Sequence, residues 1–143
     1  MTTPESLTLL QPMAALLAWS MIMWLWMYVT RLPAVRAARM QLDPARPRGE
    51  QMNELPAAVR WKADNYNHLM EQPTLFYAAV LGLVVAGDAS AWALGLAWAY
   101  TALRVVHSLW QAMSNVIEIR FVLFVLSSLA LFGLVARLAA AAW

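Results

Sequence analysis

The side chains with chemistry to offer are Asn65, His68, Glu71, Arg104, His107 and Arg120. They lie in or beside stretches that are otherwise Leu, Val, Ala and Trp. An ionisable group inside a bilayer costs about 2.5–3.5 kcal/mol on insertion scales, so such groups face a protein interior and have partners there. Arg104 and His107 are three residues apart and share one helical face. Asn65, His68 and Glu71 repeat at the same interval and make a second polar stripe. Between the stripes lies the segment GDAS, a tight turn, so the two apolar runs around it form a hairpin. Reflecting Glu71 through the centre of that turn gives position 106, level with Arg104 and His107. Two stripes of opposite charge at one depth predict a shared interior site and a Glu71–Arg104 ion pair, with Arg120 about one turn nearer the surface.

Three chemistries compete for such a site. A Glu71–Arg104 pair could serve bundle packing alone, because pairing is how buried charges are accommodated. His68, Glu71 and His107 could ligate a metal, since H-x-x-E puts two ligands on one face. A cationic Arg104 beside the metal opposes that, and two His with one Glu is a thin ligand set, so no metal is expected. A transport path needs polar groups across the whole membrane, and nothing polar continues the stripe towards GDAS. The Met residues of the first apolar run read as packing filler. With no Cys in the chain, disulfides, zinc thiolates and a Cys nucleophile are excluded.

The elements that position these residues are membrane spans. The chain has 143 residues, 62% hydrophobic and 13% charged, with a mean hydropathy of +0.56. An ordinary soluble domain is about 25% charged. Apolar runs cover residues 7–29, 67–86, 91–110 and 119–136, each near the roughly 20 residues a helix needs to cross a bilayer. These predict an all-α integral membrane bundle of four helices, one domain over 1–143. The leader MTTPES has Glu5 and no Lys or Arg, unlike a signal peptide, so the first run is expected to be a retained span, with Pro12 kinking it. Pro33, Pro44, Pro47 and Pro56 are expected to break regular structure in a loop over 31–62. After Pro56 a helix should start and run straight into the second span.

Arg31, Arg36, Arg39, Arg46, Arg48, Arg60 and Lys62 all fall in that loop, and GDAS has no basic residue. The positive-inside rule makes the 31–62 loop cytoplasmic and puts both termini on the other side. Arg120 agrees with this orientation and Arg137 opposes it. Trp24, Trp26, Tyr28, Trp92, Trp110 and Trp143 fit interfacial belts. The pI of about 9.4 therefore reports membrane topology, not a nucleic-acid partner.

Three segments together resemble the MAPEG family, the membrane-associated proteins in eicosanoid and glutathione metabolism. They are ADNYNHLMEQPTLFYAAV, YTALRVVHSLWQAMSN and IRFVLFVLSSLALFGL. The resemblance is strongest to an uncharacterised bacterial branch, and runs from about Trp61 to the C-terminus. The sixteen-residue step from Arg104 to Arg120 also matches the family's spacing. The resemblance implies a homotrimer in the bacterial inner membrane, with glutathione bound between subunits near the cytoplasmic side. It makes Glu71, Arg104, His107, His68 and Asn65 the glutathione-binding set and Arg120 the catalytic residue that stabilises the thiolate. The implied activity is a glutathione transferase or peroxidase acting on small hydrophobic electrophiles, with a non-catalytic membrane scaffold as the alternative. The sequence departs from the family where Asn67 and His68 replace an Arg–Asn pair, and where Gln111, Phe121 and Phe124 replace hydroxyl-bearing residues. Those departures argue against eicosanoid synthesis.

Overall fold

The structure is a computed structural model that describes residues 4–47, 49–88 and 90–143. Arg48 of the basic loop, Ala89 of the turn and the first three residues of the leader lie outside the described residues. After a 3-10 turn at Ser6–Leu9, the helices are α1 (Leu10–Ala37), α2 (Ala57–Leu69), α3 (Pro73–Val85), α4 (Ala91–Met113) and α5 (Ile117–Ala142). The helices α2 and α3 form one broken rod, so the bundle has four rods. It is the all-α membrane bundle that the apolar runs predict.

The first rod is longer than expected. Pro12 sits in the first turn of α1, where a missing N–H costs nothing, so it does not interrupt the helix. Pro33 lies inside α1 and does not end it either. Its ring leaves the Val29 carbonyl without a helical donor, but Val29 is exposed. The helix stops at Ala38 and Arg39, where Arg39 takes a positive φ of 50°. Its 28 residues reach about 42 Å, beyond the roughly 30 Å hydrocarbon core.

The second rod is broken where the sequence predicted continuity. Pro73 has no N–H to donate to Leu69, and its ring crowds the Leu69 carbonyl. The α-helix accordingly ends at Leu69 and restarts at Pro73, leaving Met70, Glu71 and Gln72 in the gap.

The bundle buries a polar stripe beside an apolar core, and its outer surface is apolar. Ser6–Ala37, Ala57–Val85 and Ile117–Ala142 are long and apolar enough to cross a membrane among the described residues. The remaining rod, α4, is 23 residues long and carries its polar groups inward: Thr101, Arg104, His107, Ser108 and Gln111 are all buried. It packs against α1, α2 and α5, which cover that stripe. Large apolar residues such as Val85, Leu129 and Phe132 face outward. The core proper fills the other half of the bundle, around Leu16, Met23, Phe76, Val80, Leu83, Ala97 and Leu134. Phe76 and Tyr100 stack there at 4.5 Å.

The turn between α3 and α4 and the end of α5 lie at one end of the bundle. Arg137 Nε donates to the Asp88 carboxylate at 2.6 Å. The positive charge that opposed the inferred orientation is thus neutralised by its neighbour. Burial raises the Asp88 carboxyl, but hydrogen bonds from Ser90 and Arg137 outweigh it and hold the group below its usual range. Asp88 also accepts from the Ser90 amide at 2.7 Å, and Ser90 caps α4.

Candidate functional site

The break between α2 and α3 creates the site. Ending a helix exposes carbonyls that lack an i+4 donor, at the negative end of the helix dipole. Here Arg104 Nη2, from α4, donates to the His68 carbonyl at 3.1 Å. Nη1 of the same guanidinium approaches His68 Nε2 at 3.4 Å. On the far side of that ring, Nδ1 meets Glu71 Oε2 at 3.1 Å. A guanidinium has only donors, so Nε2 must offer its lone pair and Nδ1 carries the proton towards the carboxylate. The result is a carboxylate–imidazole–guanidinium chain across the break.

This differs from the direct Glu71–Arg104 ion pair expected from the sequence. Once the helix breaks, Glu71 is carried outward, and its side chain is 68% exposed. The nearer His68, three residues back, takes the carboxylate, and Arg104 takes the carbonyl that the break released. The stripes therefore meet about one turn off the register that reflection gave. The His68 and His107 rings lie tilted against each other with centroids 5.0 Å apart, and Asn65 donates to Ser108 at 2.7 Å. Both ring nitrogens of His68 are engaged, which removes it from the His68–Glu71–His107 metal set.

Arg104 is 0% exposed. Among the described residues no carboxylate lies within ion-pair distance of it, and its Nε has no hydrogen-bond partner. Two aromatic faces supply part of its environment, Tyr100 at 5.9 Å and Phe124 at 5.8 Å. A buried cation with so little compensation favours an anion nearby.

Arg120 lies in the first turn of α5. The link before it turns through Asn115, whose φ of +55° is one that asparagine tolerates. The Asn115 side-chain oxygen accepts from Arg120 Nη1, while Arg120 Nε is buried without a partner. His68, His107, Ile117, Arg120, Phe121 and Phe124 line one open cavity of about 330 Å³. Its floor is polar and cationic, and its rim is apolar.

The structure thus brings His68, His107 and Arg120 together around the cavity, with Arg104 behind His68 and Glu71 on its outer side. Asn65 is not part of the lining: it is buried a turn away, against Ser108. Sequence reasoning gave Phe124 only as a departure from the family's pattern; the structure makes it a wall of the site, its ring 5.5 Å from His68. Sequence reasoning missed Gln72, which accepts from Tyr100 at 3.4 Å and donates to Ser128 at 2.8 Å, tying the break to α4 and α5. Pro73 was the signal that could have found Gln72, because a broken helix needs a substitute donor and acceptor.

A four-rod membrane bundle with a cationic cavity at one end, roofed by the start of its last helix, defines a class of membrane protein. The family profile of MAPEG matches residues 9–140, and the chain belongs to the MAPEG family. Neither a curated protein nor a solved structure gives a match.

Proposed function

We propose that this chain is a glutathione transferase or peroxidase that acts on small hydrophobic electrophiles at the cytoplasmic face of a bacterial inner membrane. The observation that carries the reading is Arg104, a buried guanidinium with no carboxylate partner among the described residues, beside a cavity that also receives Arg120. The tripeptide glutathione is anionic and arrives from the cytoplasm. Its carboxylates would be drawn by the charge of Arg120 at the cavity and of Arg104 behind His68, and Glu71, whose carboxylate is largely exposed, would bind its amino group. A cavity of about 330 Å³ is at the lower end of the roughly 300–1,000 Å³ typical of small-ligand sites. It is open on one side, which suits closure by a second copy in a homotrimer.

The chain has no cysteine, so the nucleophile is the ligand's own thiol. A free thiol has a pKa of about 8.5 and is mostly protonated at neutral pH. The fixed charge of Arg120, reinforced by the positive end of α5, favours the thiolate. In conjugation, the sulfur lone pair forms the new S–C bond while the electrophile's leaving group departs with its bonding pair. The thiol proton passes to water at the mouth. The apolar rim of Ile117, Phe121 and Phe124 admits an electrophile dissolved in the bilayer.

One observation favours the second reading, a scaffold without catalysis. Arg104 already has a structural task, closing the broken end of α2. Equilibrium titration of the detergent-solubilised protein with glutathione separates the two. Saturable binding at millimolar concentration or below, lost in Arg104→Met, supports the enzyme. No binding at the millimolar level of a cytoplasm supports the scaffold.

A further inference from the structure

Asn115 performs two tasks at the link between α4 and α5. The link is short: α4 ends at Met113 and α5 begins at Ile117. To reverse the chain there, Asn115 takes a φ of +55°, a region open to glycine and, among other residues, mainly to asparagine and aspartate. Its N–H donates to the Trp110 carbonyl at 2.9 Å, which ties the turn to the end of α4. Its side-chain oxygen accepts from Arg120 Nη1. One residue therefore makes the turn and fixes the guanidinium.

The type of acceptor matters as much as its place. A long arginine side chain on apolar surface turns its head towards water. Arg120 is flanked by the exposed Ile119 and Phe121, so a guanidinium that nothing held could swing from the cavity to the interface. A carboxylate at position 115 would hold it, but would also neutralise it. An amide oxygen holds it and leaves its charge intact. Among the described residues no carboxylate pairs with Arg120, Glu118 of the same turn included. The titratable groups that face it across the cavity are two imidazoles, His68 of α2 and His107 of α4. Arg104 lies behind His68, and the Glu71 carboxylate is engaged on that ring's outer side.

On the basis of the glutathione reading, we propose that Asn115 is a positioning residue for thiolate formation. Its amide oxygen holds the Arg120 guanidinium at the cavity wall with its charge free for the sulfur of the bound tripeptide. An opposite charge within about 4–6 Å lowers the pKa of an acid by about 1–3 units, and the attraction weakens as the charges separate. A guanidinium released from Asn115 spends less time near the sulfur, so part of that stabilisation is lost.

Titration of the thiolate absorbance against pH, on the full chain saturated with glutathione, tests this. Two variants keep the left-handed turn: Asn115→Gly removes the acceptor, and Asn115→Asp places a negative charge on it. In Asn115→Gly the midpoint should rise by about one pH unit, a roughly tenfold loss of thiolate at pH values below it. In Asn115→Asp it should rise at least as far, because the guanidinium stays in place but is neutralised. Ligand-free melting temperatures should change little in either variant. In an Arg120→Leu background, Asn115→Gly should move the midpoint no further, since the group it positions is gone. A residue that serves the turn alone leaves the wild-type midpoint in both variants. That result would overturn the proposal while the glutathione reading stood, and so would an equal shift with and without Arg120. A saturated wild type with no thiolate signal would overturn both.

Discussion

Removing Glu71 distinguishes the chain described above from a buried ion pair. Were Glu71 the direct counter-ion of a fully buried Arg104, Glu71→Ala would strand that charge and cost about 3–5 kcal/mol. The structure leads to a smaller figure. The Glu71 side chain is 68% exposed, and its contact is with His68 at 3.1 Å. An exposed ion pair is worth about 0–1 kcal/mol, and Arg104 keeps its hydrogen bond to the His68 carbonyl in the variant. Glu71→Ala should therefore cost less than about 1 kcal/mol. For Arg104→Met the terms oppose each other. Loss of a charged hydrogen bond costs about 1.5–3 kcal/mol, while release of a desolvated, unpaired cation returns several. The expected net change in ligand-free protein is within about 2 kcal/mol of zero. Melting in detergent at fixed lipid content, with the double variant completing the cycle, reads both. A loss above about 3 kcal/mol for Glu71→Ala, or a coupling energy of similar size, would refute the geometry across the helix break.

Three further outcomes are expected. Asp88→Asn should cost about 1 kcal/mol at neutral pH, a modest value because Arg137 is 46% exposed. The Asp88 carboxyl is held below its usual range, so its contribution is complete above about pH 4 and is lost as pH falls through the lower folded-state value. Melting temperature against pH should thus fall in acid for the wild type and lack that component in the variant. Reporter fusions at Trp143 and near Arg46 should place the C-terminus outside and the basic loop inside the cytoplasm; a cytoplasm-only reporter that works at Trp143 would reject that orientation. Gln72→Leu should lower the melting temperature by leaving Tyr100 and Ser128 without their shared partner, at about 1–2 kcal/mol; an unchanged temperature would show that the break needs no such tie.

The bundle was legible because its signals are collective. Long apolar runs, one basic loop and a short turn define four rods whatever individual residues do. The polar stripes of α2 and α4 were also legible, because helical spacing puts His68 and Arg104 on facing surfaces. What the sequence hid was set by single residues acting on the backbone. Pro33 reads as a breaker, but it sits where its freed carbonyl is exposed, so α1 continues past it. Pro73 lies within what the apolar run presents as one continuous helix, but it breaks the rod, turns Glu71 outward and shifts the register by a turn. The partner of Arg137 was equally hidden, because Asp88 lies in a turn whose spatial neighbours no periodicity specifies.

The central claim is that the cavity between His107 and Arg120 holds glutathione as its thiolate. The most direct measurement is the ultraviolet thiolate absorbance of the purified protein on saturation with glutathione near neutral pH, in the wild type and in Arg120→Leu. The account predicts a thiolate signal in the wild type. In Arg120→Leu, whose melting temperature should be nearly unchanged, it predicts a much weaker signal and a larger fall in electrophile conjugation than in glutathione affinity. A wild-type protein saturated with glutathione yet showing no thiolate signal would contradict it, and would leave Arg120 as a topological anchor at the start of α5.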